Sequence, residues 1–214
     1  MRFLSILFFT ITFVCPAQES NRFLGEVEAI HKKYDSLWDA SKETIVFTGS
    51  SSVRIWKDLE QRFPAHQIVN SGFGGSQASD LLFYIEELIL RYQPKSVFIY
   101  EGDNDIATRK KPKKIIETTL EIISKIRAEN QNTKIVLIAA KPSIARWNLK
   151  RRYQRLNRKF KRIGNNDPQI FYADVWRPML DKRRVKQDIF IEDGLHMNAK
   201  GYEIWYTALK EFVD

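Results

Sequence analysis

A serine-rich turn is the first feature of this sequence that could do chemistry. Ser51 lies in the segment Thr48-Gly-Ser-Ser-Ser52, directly after a short apolar run. A serine at a helix start is close to backbone N–H groups and the positive end of the helix dipole, which stabilise negative charge that develops nearby. Serines at such positions are also ordinary helix caps. Ser51 is therefore a candidate nucleophile only if a suitable base accompanies it.

His196 is the base that could activate such a serine. It lies in Asp193-Gly-Leu-His196, and an aspartate three residues away can hold an imidazole by accepting a hydrogen bond from one ring nitrogen. In isolation, a surface histidine beside a loop aspartate is an equally good interpretation. Since His31 is predicted in an outer helix and His66 ahead of a strand, Ser51, Asp193 and His196 together predict a catalytic triad.

Two further segments could stabilise the oxyanion of an acyl-transfer reaction. Gly74 and Gly75 offer backbone N–H groups that a substrate can approach closely because no side chain intervenes, and Asn104 offers a side-chain amide. Glycine and asparagine are also common turn residues. The serine, glycine and asparagine segments nevertheless follow three successive predicted strands, and this joint occurrence favours one site.

An α/β fold must position these residues. Short β-rich apolar runs alternate with longer helical patterns, which is typical of βα units around a parallel sheet. The predicted strands are residues 44–48, 67–70, 96–100, 134–139 and 170–173. The predicted helices are residues 21–38, 53–62, 76–92, 113–129, 145–163 and 199–212. In an open parallel sheet, ligands bind outside the carboxyl ends of the strands, where the candidate residues fall.

The sequence also predicts helix ends and the domain organisation. Ser76 is predicted to cap the helix over 76–92, and Asn198 is predicted to cap the last helix. The sequence contains no internal repeat, low-complexity tract or linker rich in Gly, Ser or Pro. Residues 18–214 are therefore predicted to form a single domain, for which this length supplies one sizeable core.

The first 17 residues have the pattern of a secretory signal peptide. Arg2 precedes an apolar run over residues 3–14, and Cys15-Pro-Ala17 offers a cleavage site after Ala17. A run of about a dozen residues is short for a spanning helix, which needs roughly 20, so an uncleaved anchor and a lipoprotein modification of Cys15 are weaker alternatives. Cleavage would remove the only cysteine and leave an exported protein, periplasmic or secreted, without a stable membrane span.

The chain is basic, with a formal net charge of +9. Much of the excess lies in the second half, as in residues 146–155. Charge alone would allow a nucleic-acid partner, but the predicted export argues against one. A solvated helix face is the ordinary interpretation. An acidic polysaccharide or an anionic envelope surface would also suit this charge, and the sequence does not choose between them.

The sequence resembles the SGNH hydrolases, also called the GDSL-like esterase and lipase superfamily, from about Ile45 to the end. The resemblance rests on separate motifs in the expected order. These are Ile45-Val-Phe-Thr-Gly-Ser-Ser51, Asn70-Ser-Gly-Phe-Gly-Gly75, Gly102-Asp-Asn104-Asp105 and Asp193-Gly-Leu-His196. Each motif alone is weak, but the ordered set is specific. The family fold implied is a three-layer α/β/α sandwich that resembles flavodoxin.

The resemblance implies a role for each candidate. Ser51 would be the nucleophile and contribute its N–H to the oxyanion hole, and Asn104 would be a further donor. Gly75 would be the oxyanion glycine, with Gly74 as the alternative. Asp193 would be the orienting acid and His196 the general base.

One residue departs from the family pattern. Ser50 stands where the namesake motif has aspartate before the nucleophile. Gly-Ser-Ser variants also occur among relatives, often followed by an Arg-x-Trp like Arg54-Ile-Trp56. Ser50 is therefore a second candidate for the nucleophile, and the reaction itself is unchanged.

The predicted reaction is ester hydrolysis through an acyl-enzyme, without a metal or organic cofactor. We expect acetyl or other short acyl groups on small molecules, glycans or envelope molecules as substrates, because relatives include carbohydrate acetyl esterases and the chain is predicted to be exported. A lysophospholipase or thioesterase that acts on lipid acyl chains is the alternative enzyme. A catalytically inactive carbohydrate-binding relative is an alternative of another class. A phosphate-binding protein fits less well, because no lysine-bearing phosphate loop is present. The sequence does not indicate an oligomeric state.

Overall fold

The computed structural model describes residues 21–213 of the chain. A five-stranded parallel sheet forms its centre, which confirms the predicted α/β fold class. The strands are β1 (Thr44–Gly49), β2 (Gln67–Gly72), β3 (Ser96–Tyr100), β4 (Lys134–Ile138) and β5 (Ile170–Ala173). Their order in space is β2-β1-β3-β4-β5, so the winding direction reverses between β1 and β3. A crevice for ligands opens at such a switch point, outside the carboxyl ends of the strands.

Helices cover both faces of the sheet and give the three-layer architecture. They are α1 (Leu24–Tyr34), α2 (Ser51–Arg54), α3 (Leu59–Arg62), α4 (Ala78–Phe83), α5 (Ile85–Leu88), α6 (Asp103–Ala107), α7 (Pro112–Glu129), α8 (Lys150–Asn166) and α9 (Ala199–Leu209). Because parallel crossovers are right-handed, α4, α5, α7 and α8 cover one face, whereas α2, α3 and α9 cover the other. Helix α1 packs against β2 and α5. Two short strands, β6 (Leu180–Asp181) and β7 (Arg184–Val185), form a separate antiparallel hairpin.

The core lies on both sides of β1 and β3, in which every residue is buried. Such continuous burial is expected of a parallel sheet covered on both faces. Phe47 of β1 and Phe98 of β3 are register partners, and their rings stack with centroids 4.2 Å apart. Trp56 and Trp205 pack edge to face on the same side. Burial of such side chains contributes roughly 1.5–3 kcal/mol each, which fixes the strand ends that carry the site.

The predicted strands agree closely with the structure. The strands over 96–100 and 170–173 have the predicted bounds, β1 and β2 continue to Gly49 and Gly72, and β4 stops at Ile138. The predicted opening helix over 21–38 is shorter, with a 3-10 turn before α1 and an end at Tyr34. Each predicted strand was an apolar run between turn residues, which is a local signal.

The predicted helix over 53–62 is wrong as a single element, because α2 and α3 are separate one-turn helices. Trp56 lies between them and is 1% exposed, stacked on Tyr202 and in contact with Trp205. The backbone N–H of Trp56 donates to the carbonyl of Val53, three residues earlier, rather than to the carbonyl four residues earlier. Burial of the Trp56 indole therefore separates α2 from α3, although the sequence pattern over 53–62 favours one continuous helix.

The predicted helix over 76–92 is also interrupted, at Tyr84 and Ile89, whose backbone angles leave the helical region. Ser76 does not cap it. The helix begins after Gln77, whose N–H donates to the Asp80 carboxylate at 2.8 Å. By contrast, the predicted cap at Asn198 is confirmed, since its side-chain oxygen accepts from the Gly201 N–H.

The predicted helix over 145–163 begins later than expected, because α8 starts at Lys150 after a 3-10 turn, Trp147–Leu149. The Ala145 N–H donates to the Gly194 carbonyl, which ties this segment to the loop before α9. The side chain of Arg146 turns towards the carboxyl ends of the strands. Residues 145 and 146 thus belong to the edge of the sheet where the candidate residues lie.

The predicted signal peptide, residues 1–17, lies outside the described residues and stays a prediction. Over residues 21–213, every helix is too short or too polar to cross a bilayer.

Candidate active site

Ser51 is held at a sharp turn between β1 and α2. Gly49 ends the strand with φ +125°, and a Cβ atom there would lie 2.0 Å from the carbonyl oxygen of Tyr100, so only glycine fits. Ser51 is the first residue of α2, and its N–H has no partner within the helix at this position. The turn therefore presents both the Ser51 hydroxyl and its N–H at the carboxyl end of β1.

His196 is brought to Ser51 by a turn that precedes α9. Within this turn, the N–H of Ile191 donates to the carbonyl of His196 at 2.9 Å, and the N–H of Gly194 donates to the carbonyl of Ile191 at 3.0 Å. Nε2 of the imidazole lies 2.9 Å from Oγ of Ser51. Residues that are 145 positions apart in the chain are thus within hydrogen-bond distance.

Asp193 holds the other side of the imidazole. Its Oδ2 lies 2.5 Å from Nδ1 of His196, while its Oδ1 accepts from the backbone N–H groups of Leu195 and His196 at 2.8 and 2.9 Å. Desolvation by itself raises the pKa of Asp193, but these hydrogen bonds outweigh it and lower the pKa to about 2. The carboxylate is therefore ionised at neutral pH and can hold the proton of the imidazole on Nδ1.

Over residues 21–213, Ser50, the second candidate nucleophile, forms no hydrogen bond with the imidazole, whose ring nitrogens face Asp193 and Ser51. It is 2% exposed and caps the start of α2 through its backbone carbonyl, which accepts from Val53 and Arg54. Its own N–H donates to the carbonyl of Tyr100 at 3.1 Å. The geometry therefore favours Ser51 over Ser50.

Gly74 and Gly75, in the loop after β2, differ in whether their backbone N–H is already hydrogen-bonded. The N–H of Gly74 already donates to Oε2 of Glu26 at 2.8 Å. Within residues 21–213, the N–H of Gly75 takes part in no hydrogen bond. Gly75 has φ +76°, and a Cβ atom there would meet open space, so its backbone is accessible. This geometry leaves Gly75 as the glycine with an available donor.

Asn104 lies in the first turn of α6, and its amide is held at both ends. Its Nδ2 donates to the carbonyl of Ser76 at 2.9 Å, and its Oδ1 accepts from Nη2 of Arg146 at 3.1 Å. Since a guanidinium group only donates, this contact fixes which end of the amide is oxygen. One N–H of the Asn104 amide then remains for an oxyanion.

A buried ionic cluster supports Asn104. Asp103 accepts from Nη1 of Arg146 at 2.6 Å, from the Tyr153 hydroxyl at 2.5 Å and from the Tyr100 hydroxyl at 2.9 Å. Lys141 lies 3.7 Å from the same carboxylate. Burial alone would raise the pKa of Asp103, but the charges of Lys141 and Arg146 outweigh it and lower the pKa. Asp103 is thus a buried anion matched by two cations.

Lys141 joins the two sides of the site. Its ammonium group, fully buried, donates to the carbonyl of Leu195 at 2.7 Å, within the turn that carries Asp193 and His196. Burial lowers the pKa of Lys141, while Asp103 partly restores it. One side chain therefore contacts both the turn with the imidazole and the carboxylate beneath Asn104.

Glu101 is a second buried acid, directly before the asparagine segment. Its Oε1 accepts from the Ser76 hydroxyl at 2.6 Å, and its Oε2 has no hydrogen-bond partner in the part of the chain that the structure describes. Burial, together with the nearby charge of Asp105, raises the pKa of Glu101 well above its usual range. The Ser76 hydroxyl thus contacts the Glu101 carboxyl group, while the Ser76 carbonyl accepts from Asn104.

The sequence reasoning missed Lys141, Arg146 and the role of Asp103. Lys141 follows β4, so inspection of every strand end, rather than the first three, would have found it. Arg146 falls in a predicted helix and in a run of basic residues, and nothing in the sequence distinguishes it from its neighbours. In the sequence, Asp103 stands out only as part of the asparagine motif.

The comparisons with known proteins agree with the fold and the resemblance. Residues 35–204 match the GDSL-like Lipase/Acylhydrolase family, which is most of the chain. The chain therefore belongs to this family and is a hydrolase that acts on ester bonds. No curated protein matches it.

Several solved structures share the fold. A Streptococcus pneumonia protein, provisionally described as a platelet activating factor, aligns with a TM-score of 0.78 at 22% identity, over 92% of this chain and 97% of its own. A GDSL-like lipase from Bacteroides thetaiotaomicron aligns with a TM-score of 0.72 at 18% identity, over 91% and 96%. A catalytic serine-to-alanine mutant of an acetylxylan esterase from Geobacillus stearothermophilus aligns with a TM-score of 0.67 at 16% identity, over 79% and 93%.

Proposed function

We propose that this protein is an exported serine esterase that removes acetyl or other short acyl groups from glycans or envelope molecules. The observation that carries the proposal is the contact between Nε2 of His196 and Oγ of Ser51 at 2.9 Å, with Asp193 on the opposite ring nitrogen. A nucleophile, a base and an orienting acid in this order are the arrangement that serine hydrolases use.

In the first step, His196 takes the proton of the Ser51 hydroxyl as Oγ attacks the ester carbonyl. Asp193 holds the Nδ1 proton, so that the lone pair of Nε2 faces the serine. The imidazolium that forms is stabilised by the adjacent carboxylate and then gives its proton to the leaving alcohol. The result is an acyl group on Ser51.

The negative charge on the carbonyl oxygen needs donors that are in place before the reaction. The Ser51 N–H at the start of α2, the Gly75 N–H and the second N–H of the Asn104 amide would supply them. Preorganised donors of this kind each contribute roughly 10² to 10³ in rate. Water activated by His196 then releases the acid and restores the enzyme.

An open site favours a small acyl group on a large alcohol. The side chain of His196 is 26% exposed and that of Asp193 is 42% exposed. Ile144 and Ile191 are exposed beside the same turn, and they offer a small apolar surface for an acyl group. Among the proteins of similar fold, an acetylxylan esterase and an acetyl esterase with an acetate ion act on acetyl groups, which supports the same substrate class here.

Export is proposed on the sequence pattern of the first 17 residues. Arg2, the apolar run over 3–14 and the segment Cys15-Pro-Ala17 together form the three parts of a signal peptide. N-terminal sequencing of the protein secreted by the cell that makes it should begin at Gln18. A mature chain that begins at Met1 would contradict export by this route.

The proposal is tested by hydrolysis of p-nitrophenyl esters of increasing acyl length, with acetylated oligosaccharides alongside. We expect kcat/KM to fall steeply beyond the acetyl or propionyl ester, and Ser51→Ala to abolish acyl-enzyme formation while Ser50→Ala retains activity. A folded wild-type protein without activity would support the inactive carbohydrate-binding alternative. A rise in kcat/KM with chain length would move the assignment to lipid esters.

A further inference from the structure

Helix α8 carries a row of exposed arginines. Arg151, Arg155, Arg158 and Arg162 are spaced by four, three and four residues, so they lie on one face of the helix, and all are exposed. We call these residues the arginine stripe. The 17-residue helix contains further lysines but no acidic residue. At about 1.5 Å per residue, the stripe extends over roughly 16 Å.

The charges of the arginine stripe are not neutralised within the protein. Over residues 21–213, none of its members forms an ion pair. Arg152, which points to a different side of the helix, instead donates to the carbonyls of Arg109 and Lys110. Like charges at this spacing repel each other and destabilise a helix slightly. A bound anion would relieve that repulsion.

The arginine stripe begins at the rim of the candidate active site. Arg146, which bonds to Asn104, lies one 3-10 turn before α8. In the first turn of α8, the hydroxyl of Tyr153 donates to Asp103. The helix axis then leads away from the carboxyl ends of the strands. A linear molecule on the stripe would therefore have one end at the rim.

The composition of α8 favours a soluble polymer over a membrane. A helix that binds a bilayer inserts its apolar face among the lipid headgroups. The apolar face of α8, formed by Tyr153, Leu156 and Phe160, is at most 3% exposed because it packs into the core. The exposed face thus offers charge without an apolar surface to insert.

We propose that the arginine stripe binds an acidic polysaccharide along α8 and presents its acyl groups to Ser51. The proposal rests on the proposed function, because hydroxyl groups of polysaccharides carry the acyl esters that the triad would cleave. Guanidinium groups pair with carboxylates through two parallel hydrogen bonds, which suits a uronic-acid chain. The substrate would therefore be an acylated, carboxylate-bearing glycan.

The test compares three substrates and three proteins. The substrates are acetylated polygalacturonate, which is anionic, acetylated xylan, which is neutral, and p-nitrophenyl acetate. The proteins are the wild type, the variant Arg155→Gln/Arg158→Gln and the control Lys32→Gln/Lys57→Gln. The control removes the same charge from two exposed lysines, one on α1 and one just after α2, and both helices pack against β2. We expect the arginine variant to raise KM for acetylated polygalacturonate about fivefold to tenfold, with kcat unchanged, as for a few screened ion pairs.

Salt should reproduce the effect of the arginine variant. In about 0.5 M NaCl the wild-type KM for the anionic polymer should approach that of the variant, since exposed charges are screened over a few ångströms. KM for acetylated xylan and for p-nitrophenyl acetate should change less than about twofold in all three proteins. Equal effects of the arginine and lysine variants, or equal effects on both polymers, would overturn the proposal.

Direct binding separates this proposal from the proposed function. Titration of unacetylated polygalacturonate should give saturable binding to the wild type that the arginine variant weakens by a similar factor, even if no ester is cleaved. Absence of activity with binding intact would refute the esterase and leave the polyanion site. Absence of binding would refute an acidic polysaccharide as the ligand of the arginine stripe. Tighter binding of phosphatidylglycerol vesicles or of single-stranded DNA through the same arginines would refute it as well.

Discussion

The side of the candidate site that carries His196 is open to solvent, whereas the side that carries Asn104 rests on buried charges. His196 is held by Asp193, and both side chains are partly exposed. Asn104 is held by Arg146, which bonds in turn to the buried Asp103. A group that transfers protons to a substrate must be accessible, while a group that stabilises charge must be fixed in advance. Under the proposed function, the two sides meet these different requirements.

The largest effect should come from the open side, where the proposed function gives Asp193 the task of orienting the base. In Asp193→Asn, the amide can donate to Nδ1 of His196 and place the imidazole proton on Nε2, facing Ser51. We expect kcat for p-nitrophenyl acetate to fall about 10² to 10⁴-fold. The matched control is Asp188→Asn, whose exposed carboxylate pairs with Lys200, and it should retain activity within about twofold. If Asp193→Asn kept more than half of kcat, Asp193 would not orient the base.

A smaller effect on kcat should come from the buried side, where the guanidinium group of Arg146 contacts both Asp103 and Asn104. Arg146→Lys keeps a cation beside Asp103 but cannot reach Asp103 and Asn104 together. We expect kcat to fall about tenfold with KM unchanged, compared with 10² to 10³-fold for Asn104→Ala. Arg152→Lys, which loses only contacts to backbone carbonyls, is the control.

A double mutant separates positioning from structure. In an Asn104→Ala background, Arg146→Lys should have no further effect on kcat, because the guanidinium acts through the amide. An additional tenfold loss in that background would mean that Arg146 acts on the fold or directly on the substrate.

The smallest effect concerns stability on the buried side, through Glu101. Because its pKa is raised in the folded protein, the folded state holds a proton that the unfolded state loses above about pH 4.5. The stability of the wild type relative to Glu101→Gln should therefore decrease as the pH rises above about 4.5, with a slope of at most about 1.4 kcal/mol per pH unit. Urea unfolding at several pH values measures this, and a pH-independent difference would show that Glu101 is ionised in the fold.

The fold class and most of the candidate site could be predicted from local features of the sequence. Ser51, Gly75 and Asn104 follow apolar strands directly, and Asp193 lies three residues before His196. Such signals are local, so the fold class and the candidate residues could be recognised without coordinates. The helix break at Trp56 could not, because it depends on burial against α9.

The buried charges could not be predicted from the sequence either, because their partners are distant in the chain. Arg146 and Arg151 belong to one basic run and look alike in sequence. Only the contact of Arg146 with the buried Asp103, 43 positions earlier, distinguishes this half-buried arginine from an exposed one. Contacts between side chains so far apart in the chain depend on the topology of the sheet, and composition alone does not predict them.

The ammonium group of Lys141 couples the two sides of the site, so they should unfold together on heating. It contacts the carbonyl of Leu195 and lies beside the carboxylate of Asp103, so neither the turn before α9 nor the asparagine segment can loosen without disturbing the other. Thermal unfolding should consequently be cooperative, with the turn that carries His196 and the segment that carries Asn104 lost in a single transition.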